Sequence, residues 1–213
     1  PFADGHSDGE VAVRPPETTI RGRFARGTPL GPLVWTFLGW RSETSFADGK
    51  PDGLWVAGHV DDRDKFIERH EARFEGGALA ALRWVGPEVT WTVGVKGGVF
   101  HGPVVAERDG QRTVSGAFAQ GKPSGTWRYR DGERTRLEIR YGKTTELNLF
   151  GDDGKPFATG AFDAENRPTG RWRVINGGEL ATLCPVSEGA YVEGLKEGPW
   201  KGCVELPERF YPG

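Results

Sequence analysis

A ten-residue motif recurs along this chain: Phe or Tyr, two residues, Gly, three residues, Gly, one residue, then Trp or another apolar side chain. Three copies are nearly perfect: Phe46 to Trp55 with Gly49 and Gly53, Phe118 to Trp127 with Gly121 and Gly125, and Tyr191 to Trp200 with Gly194 and Gly198. Phe24 with Gly27, Gly31 and Leu33 fits the same frame, as does Val95 with Gly98, Gly102 and Val104. Phe162 reaches Gly170 and Trp172 with one inserted residue. Two copies are decayed. Phe74 keeps Gly77 but has Ala81 for the second glycine, and Tyr141 has Thr144 and Asn148 for both, with Phe150 closing the frame. The lead positions 24, 46, 74, 95, 118, 141, 162 and 191 stand 22, 28, 21, 23, 23, 21 and 29 residues apart, too even a spacing for unrelated weak motifs.

Glycines at this separation read as brackets around a short reversal, often with Pro inside it, where the backbone needs positive φ. The lead aromatic and the closing Trp then face each other across the turn. A second reversal is expected between copies, at Asp109-Gly110, Asp131-Gly132, Asp153-Gly154 and Asn176-Gly177, dipeptides favoured in two-residue hairpins. Each unit is therefore two strands and two turns. Around the fifth, alternation sends Trp127, Tyr129, Leu137, Ile139 and Tyr141 one way and Arg128, Arg130, Arg136, Glu138 and Arg140 the other. One hairpin cannot bury its aromatic pair alone, so order is expected to come from neighbours stacked side by side. The expected fold is all-β, an elongated single-layer antiparallel meander of about eight hairpin repeats. Its core rings would be Phe24, Phe46, Trp55, Phe74, Phe118, Trp127, Tyr141, Phe162, Trp172, Tyr191 and Trp200.

The composition agrees: 33 Gly and 15 Pro leave no stretch of a dozen residues with helical apolar spacing, which excludes a helical bundle. Lys and Arg total 28 against 30 Asp and Glu, and a net charge of -2 gives no global reason to bind nucleic acid or an acidic membrane. No apolar run approaches the roughly 18 residues of a transmembrane helix. Residues 1–20 are acidic and turn-rich and read as a flexible N-terminal tether of the kind left when a signal or lipoprotein leader is removed, with the repeat domain over 21–213.

The repeat resembles the MORN family, and especially its bacterial variant, whose units read like Asp48-Gly49-Lys50-Pro51-Asp52-Gly53-Leu54-Trp55 and Gln120-Gly121-Lys122-Pro123-Ser124-Gly125-Thr126-Trp127. The likeness extends from Gly22 to Val204, with the third and sixth units departing from it. It implies a non-enzymatic repeat module of bacterial origin; some relatives carry an antitoxin-component label, and eukaryotic ones suggest scaffolding and membrane-lipid association. The neutral charge argues against the lipid reading here.

Patterns that could carry chemistry yield to plainer explanations. His6, His59, His70 and His101 are scattered without metal-ligand spacing, and no cofactor or metal is expected. Ser115 lies where a strand residue belongs, outside any nucleophile elbow. Gly116 to Lys122 mimics the start of a phosphate loop, but Pro123 stands where Ser or Thr would hold magnesium. Asp61, Asp62 and Asp64 could hold a hard cation, yet Arg63 and Lys65 interleave, which favours a solvated loop. The arginine row, Arg128, Arg130, Arg136 and Arg140, is either a strip of cross-strand ion pairs or a docking surface for an acidic partner. The 19-residue steps from Trp55 to Phe74 and from Trp172 to Tyr191, against 12 to 14 elsewhere, imply about six protruding residues in each. Cys184 lies in the second and Cys203 beyond Trp200, either joined as a disulfide that clamps the last repeat or left as two thiols.

No active site is expected. The leading expectation is a non-catalytic interaction or assembly scaffold, exported to the periplasm or cell surface, that contacts another protein or its own copies through sheet edges or a sheet face. Its contact residues would be Trp40, Trp91, the arginine row and the linkers at 61–65 and 184–188. The alternative is a cytoplasmic immunity or antitoxin protein that covers a toxin.

Overall fold

The computed structural model describes residues 2–3, 6–13, 18–175 and 185–202, and every regular element among them is a β-strand. The chain divides into two compact units, 1–122 and 123–213. In the first, Gly9–Val13, Thr18–Ala25, Thr28–Phe37, Trp40–Ala47, Gly53–Val60, Phe66–Glu75, Ala78–Val85, Val89–Lys96, Val99–Arg108 and Gln111–Ala119 pair in chain order as an antiparallel meander. In the second, Lys122–Asp131, Arg134–Tyr141, Thr145–Phe150, Pro156–Phe162, Pro168–Ile175, Val186–Val192 and Leu195–Lys201 do the same. The hairpin meander expected from the repeat is thus the fold of each unit. Within the segment expected as a tether over 1–20, the described residues include paired strands: Phe2–Ala3 pairs with His6–Ser7, and Gly9–Val13 pairs with Thr18–Ala25.

The two motif glycines divide the labour differently from a bracket. Between Phe46 and Trp55 the chain reverses at Asp48-Gly49, both at positive φ (50° and 73°), the two-residue turn whose twist matches the strands. Gly53 (φ 74°) lies in the returning strand, where the register to Trp40–Ala47 shifts between Pro51 and Val56. The same division recurs at Gly121 with Gly125 and at Gly194 with Gly198. The bulge brings the closing Trp back over the lead aromatic: Phe46 and Trp55 centroids are 5.2 Å apart, Phe162 and Trp172 5.1 Å, Tyr191 and Trp200 5.0 Å. Each ring is also pinned by its indole N–H, which donates to the carbonyl preceding the lead aromatic: Trp55 to Ser45 (2.8 Å), Trp172 to Ala161 (3.2 Å) and Trp200 to Ala190 (3.2 Å). Where both glycines are lost, after Tyr141, a three-residue loop at 142–144 replaces the turn and the register runs on without a bulge.

The second reversals are more varied than the Asx-Gly dipeptides implied. Asp109-Gly110 is a two-residue turn as expected, with Arg108 opposite Gln111. The next reversal is Gly132-Glu133 instead of Asp131-Gly132, because Asp131 stays in the ladder opposite Arg134. Asp153-Gly154 belongs to a five-residue loop, 151–155, closed by the Gly151 amide on the Lys155 carbonyl. Asn176-Gly177, Cys184 and Cys203 lie outside the described residues. The long step after Trp55 is absorbed by longer strands and a five-residue loop, 61–65, so less protrudes than the residue count suggested.

A single layer leaves little interior. The buried apolar side chains among the described residues are Val104, Ala106, Val114, Trp127, Ile139 and Phe162, and none of the large ones is wholly enclosed. Both broad faces therefore meet solvent or a partner.

Candidate functional site

One face is ionic. Alternation places Arg69 and Glu71 on neighbouring same-face positions of Phe66–Glu75, with Arg83 opposite Glu71 on the next strand. The Glu71 carboxylate accepts from Arg69 Nε (2.6 Å) and Arg83 Nη1 (3.1 Å). The same triad recurs at Glu138, which is 8% exposed and accepts from Arg128 Nε (2.9 Å) and Arg140 Nε (3.0 Å), and at Glu188, flanked by Arg171 (3.4 Å) and Lys201 (3.9 Å). Arg136 meets Asp152 at 2.6 Å and Asp131 at 3.2 Å. Arg128, Arg136 and Arg140, singled out in the sequence, are thus held by carboxylates, and Arg130 stands opposite Thr135. This is the strip of cross-strand ion pairs.

Burial works to raise the Glu71 carboxyl, but the hydrogen bonds from Arg69 and Arg83 outweigh it and hold the group below the ordinary glutamate range. A depressed folded value stabilises the fold above the unfolded value and loses that contribution as pH falls through the folded one. Stability of residues 66–85 is therefore expected to fall progressively below about pH 4, and Glu71→Gln to flatten that fall, checked by hydrogen exchange of those strands against pH.

The opposite face of the first unit is aromatic. Register carries a row from Trp35 through Ser42 and Ala57 to His70, Trp84 and Trp91. A shorter parallel row runs from Phe37 through Trp40 and His59 to Glu68. Trp35 and Phe37 stack at 6.2 Å with planes 3° apart, and Trp40 meets His59 edge-on at 4.8 Å. Trp84 lies opposite Trp91. Trp35, Phe37 and Trp91 remain 38%, 39% and 39% exposed, and His59 and His70 are exposed as well. Across six strands at about 4.8 Å each, the rows extend roughly 24 Å with Glu68 as their one charged member. Trp91 and Trp40, the two non-motif rings expected to make contacts, both belong to this surface, Trp40 half-buried. Trp35, Phe37 and Trp84 went unremarked in the sequence, although Leu33, Trp35 and Phe37 form an alternating apolar set.

The remaining candidates have structural places. Asp61 Oδ1 accepts from the amides of Arg63 and Lys65 (both 2.9 Å), and these backbone hydrogen bonds, Lys65 first, lower its carboxyl below the ordinary aspartate range. Asp163 staples 163–167 in the same way. The acidic cluster is thus a loop staple. Gly116 to Lys122 is strand and hairpin turn, with no helix for a phosphate loop to open, and Ser115 sits within Gln111–Ala119. No three His, Cys, Asp or Glu side chains gather as a metal-holding group among the described residues. Nor does any described helix have the length and apolarity to cross a membrane.

The chain matches no family model and no curated protein.

Proposed function

We propose that this chain is a non-catalytic repeat module, of the MORN-like kind its motif resembles, that docks another protein on the aromatic face of residues 9–119. The single observation that carries this reading is the paired row of rings, because large half-exposed aromatics close together are what well-bound interface centres are made of. A monomeric sheet gains nothing from leaving Trp35 and Trp91 exposed, whereas a partner that covers them recovers the apolar burial. On the ionic faces Glu71, Glu138 and Glu188 already hold cations of their own chain, which makes these the weaker docking surfaces. Export to the periplasm or cell surface of a bacterium belongs to the same proposal.

Affinity capture from the source organism, with the native chain beside Trp35→Ala/Trp91→Ala, tests it. A specific protein should be recovered by the native chain and reduced at least about tenfold by the double variant, since each interface aromatic contributes on the order of 1–2 kcal/mol or more. Undiminished recovery by the double variant, or turnover of a small molecule with no partner recovered, would overturn the reading.

A further inference from the structure

The 8 tryptophans divide by what their indole N–H groups do. Four close copies of the motif, and of these Trp55, Trp172 and Trp200 donate to a backbone carbonyl on the strand across their own turn. The other four, Trp35, Trp40, Trp84 and Trp91, make no hydrogen bond among the described residues. All four stand on the aromatic face of the first unit, in the rows that begin at Trp35 and Phe37. Their donors are open. Among the described part-buried residues, the one side-chain nitrogen wholly buried without an acceptor is Arg41 Nε, so half-buried Trp40 and Trp84 keep theirs at the surface. Trp35 and Trp91 are exposed outright.

An indole nitrogen donates and cannot accept. The two rows therefore set fixed donors among apolar rings, with the Glu68 carboxylate as their one purely accepting side chain. A covering segment of ordinary sequence brings a backbone N–H with every carbonyl. The carbonyls of these strands are engaged in their own ladders, so most of those N–H groups would be buried without an acceptor, which is costly. Proline brings the carbonyl without the N–H. In the polyproline II conformation the carbonyls make no internal hydrogen bonds, and such segments dock on aromatic surfaces at low entropic cost. Ser42 and Ala57 are the small members of the longer row, so it is low between Trp35 and His70, where a pyrrolidine ring has room. Charge points the same way: Glu68 makes no ion pair among the described residues, and no Lys or Arg stands in either row.

We propose that the segment covering this face is a proline-rich stretch in the polyproline II conformation, with a Lys or Arg that meets Glu68. This inference rests on the protein-docking reading and names the chemistry of the partner. The stretch lies across the strands between the two rows. At about 3.1 Å per residue, the roughly 24 Å of the rows take about eight residues. Its carbonyls accept from the free indoles along its path, and its proline rings pack on the indole and phenyl faces.

The probe is an acetylated, amidated peptide of eight prolines and one arginine, titrated into the full chain and followed by the indole N–H resonances. Saturable binding with a Kd of about 1 mM or tighter is expected. It should shift Trp35, Trp40, Trp84 and Trp91 and leave Trp172 and Trp200, whose N–H groups are already bonded, where they are. A glycine-serine peptide of equal length with one arginine should bind at least about tenfold more weakly. Trp35→Phe/Trp91→Phe keeps two rings and removes two donors, and should weaken binding about tenfold. Glu68→Gln should weaken the arginine peptide about threefold and leave an all-proline peptide unaffected. Thr92→Ala, on the ionic side, should change nothing. No saturation up to about 10 mM, equal binding of the glycine-serine peptide, full binding by Trp35→Phe/Trp91→Phe, or saturable binding of cellohexaose in place of the proline peptide would overturn the inference. Each of these ends the proline-rich assignment alone. The docking reading fails separately, when capture is undiminished in the alanine double variant.

Discussion

Trp127→Ala is expected to destabilise the unit 123–213 by about 3–5 kcal/mol, the cost of deleting a large buried aromatic. Trp127 is 7% exposed, lies opposite Ile139, and has Tyr129 and Tyr141 rings at 6.5 Å and 6.2 Å. In a single layer there is no second sheet to close the space it leaves, so the cavity term should be felt in full as lost contact with both tyrosines. A domain stable by about 5–15 kcal/mol has little to spare for such a loss. Urea titration followed by far-ultraviolet circular dichroism reads the change. Trp91→Ala, at an exposed ring, is the contrast and should cost less than about 1 kcal/mol. Equal losses for the two variants would mean that the motif rings are not where the units get their order.

The second large effect is expected from the smallest side chain. Gly58, buried in Gly53–Val60, faces Arg41 on one side and Arg69 on the other. A methyl group there would sit 2.0 Å from the Glu68 carbonyl oxygen and 2.8 Å from the Arg69 Cα. Both belong to the backbone of the adjacent strand, so no rotamer change relieves the overlap and the two strands must part. Gly58→Ala should therefore lose about 1–3 kcal/mol or more, the range for forcing atoms into a filled site. Hydrogen exchange should localise the loss to residues 53–75. Gly110→Ala separates this from the general effect of removing a glycine: Gly110 is at φ 75° with open space around it, so its cost is local backbone strain of about 1–2 kcal/mol. Its effect should stay at the 109–110 turn.

Strand content and the pairing of rings across each turn were legible in the sequence because the aromatic, the two glycines and the Trp recur in fixed order. What each glycine does was not. Gly49 turns the chain and Gly53 bulges it, and spacing alone cannot tell a positive-φ turn residue from a bulge. Nor does it mark a third use. Gly160 and Gly189 lie beneath the rings of Trp172 and Trp200, where a Cβ would come within 2.3 Å and 2.2 Å of ring carbons. The Gly-Ala-Phe and Gly-Ala-Tyr triplets that hold them were the available signal.

The ionic strip was legible as one of two readings, since simple alternation already put Arg128 and Glu138 on one face, and the register sets them opposite each other. The aromatic rows were only half legible. Trp40 and Trp91 stood out as rings outside the motif, but their alignment with Trp35 and Trp84 depends on registers that shift at bulges, as between Leu79 and Ala81 and between Val93 and Val95. A one-residue change in any of these would move a ring to the other face.

Neighbouring positions on one strand give the most direct test of the docking face. Trp91 belongs to the aromatic row and Thr92 to the ionic side, where it lies opposite Arg83. A photo-crosslinking amino acid placed at 91 or at 92 of the full chain, irradiated in cells of the source organism, samples the two faces a single residue apart. Crosslinking of a specific protein from position 91 and not from position 92 is the predicted result. Crosslinking from position 92 alone, or from neither position, would contradict the assignment of the aromatic rows as the surface through which this chain works.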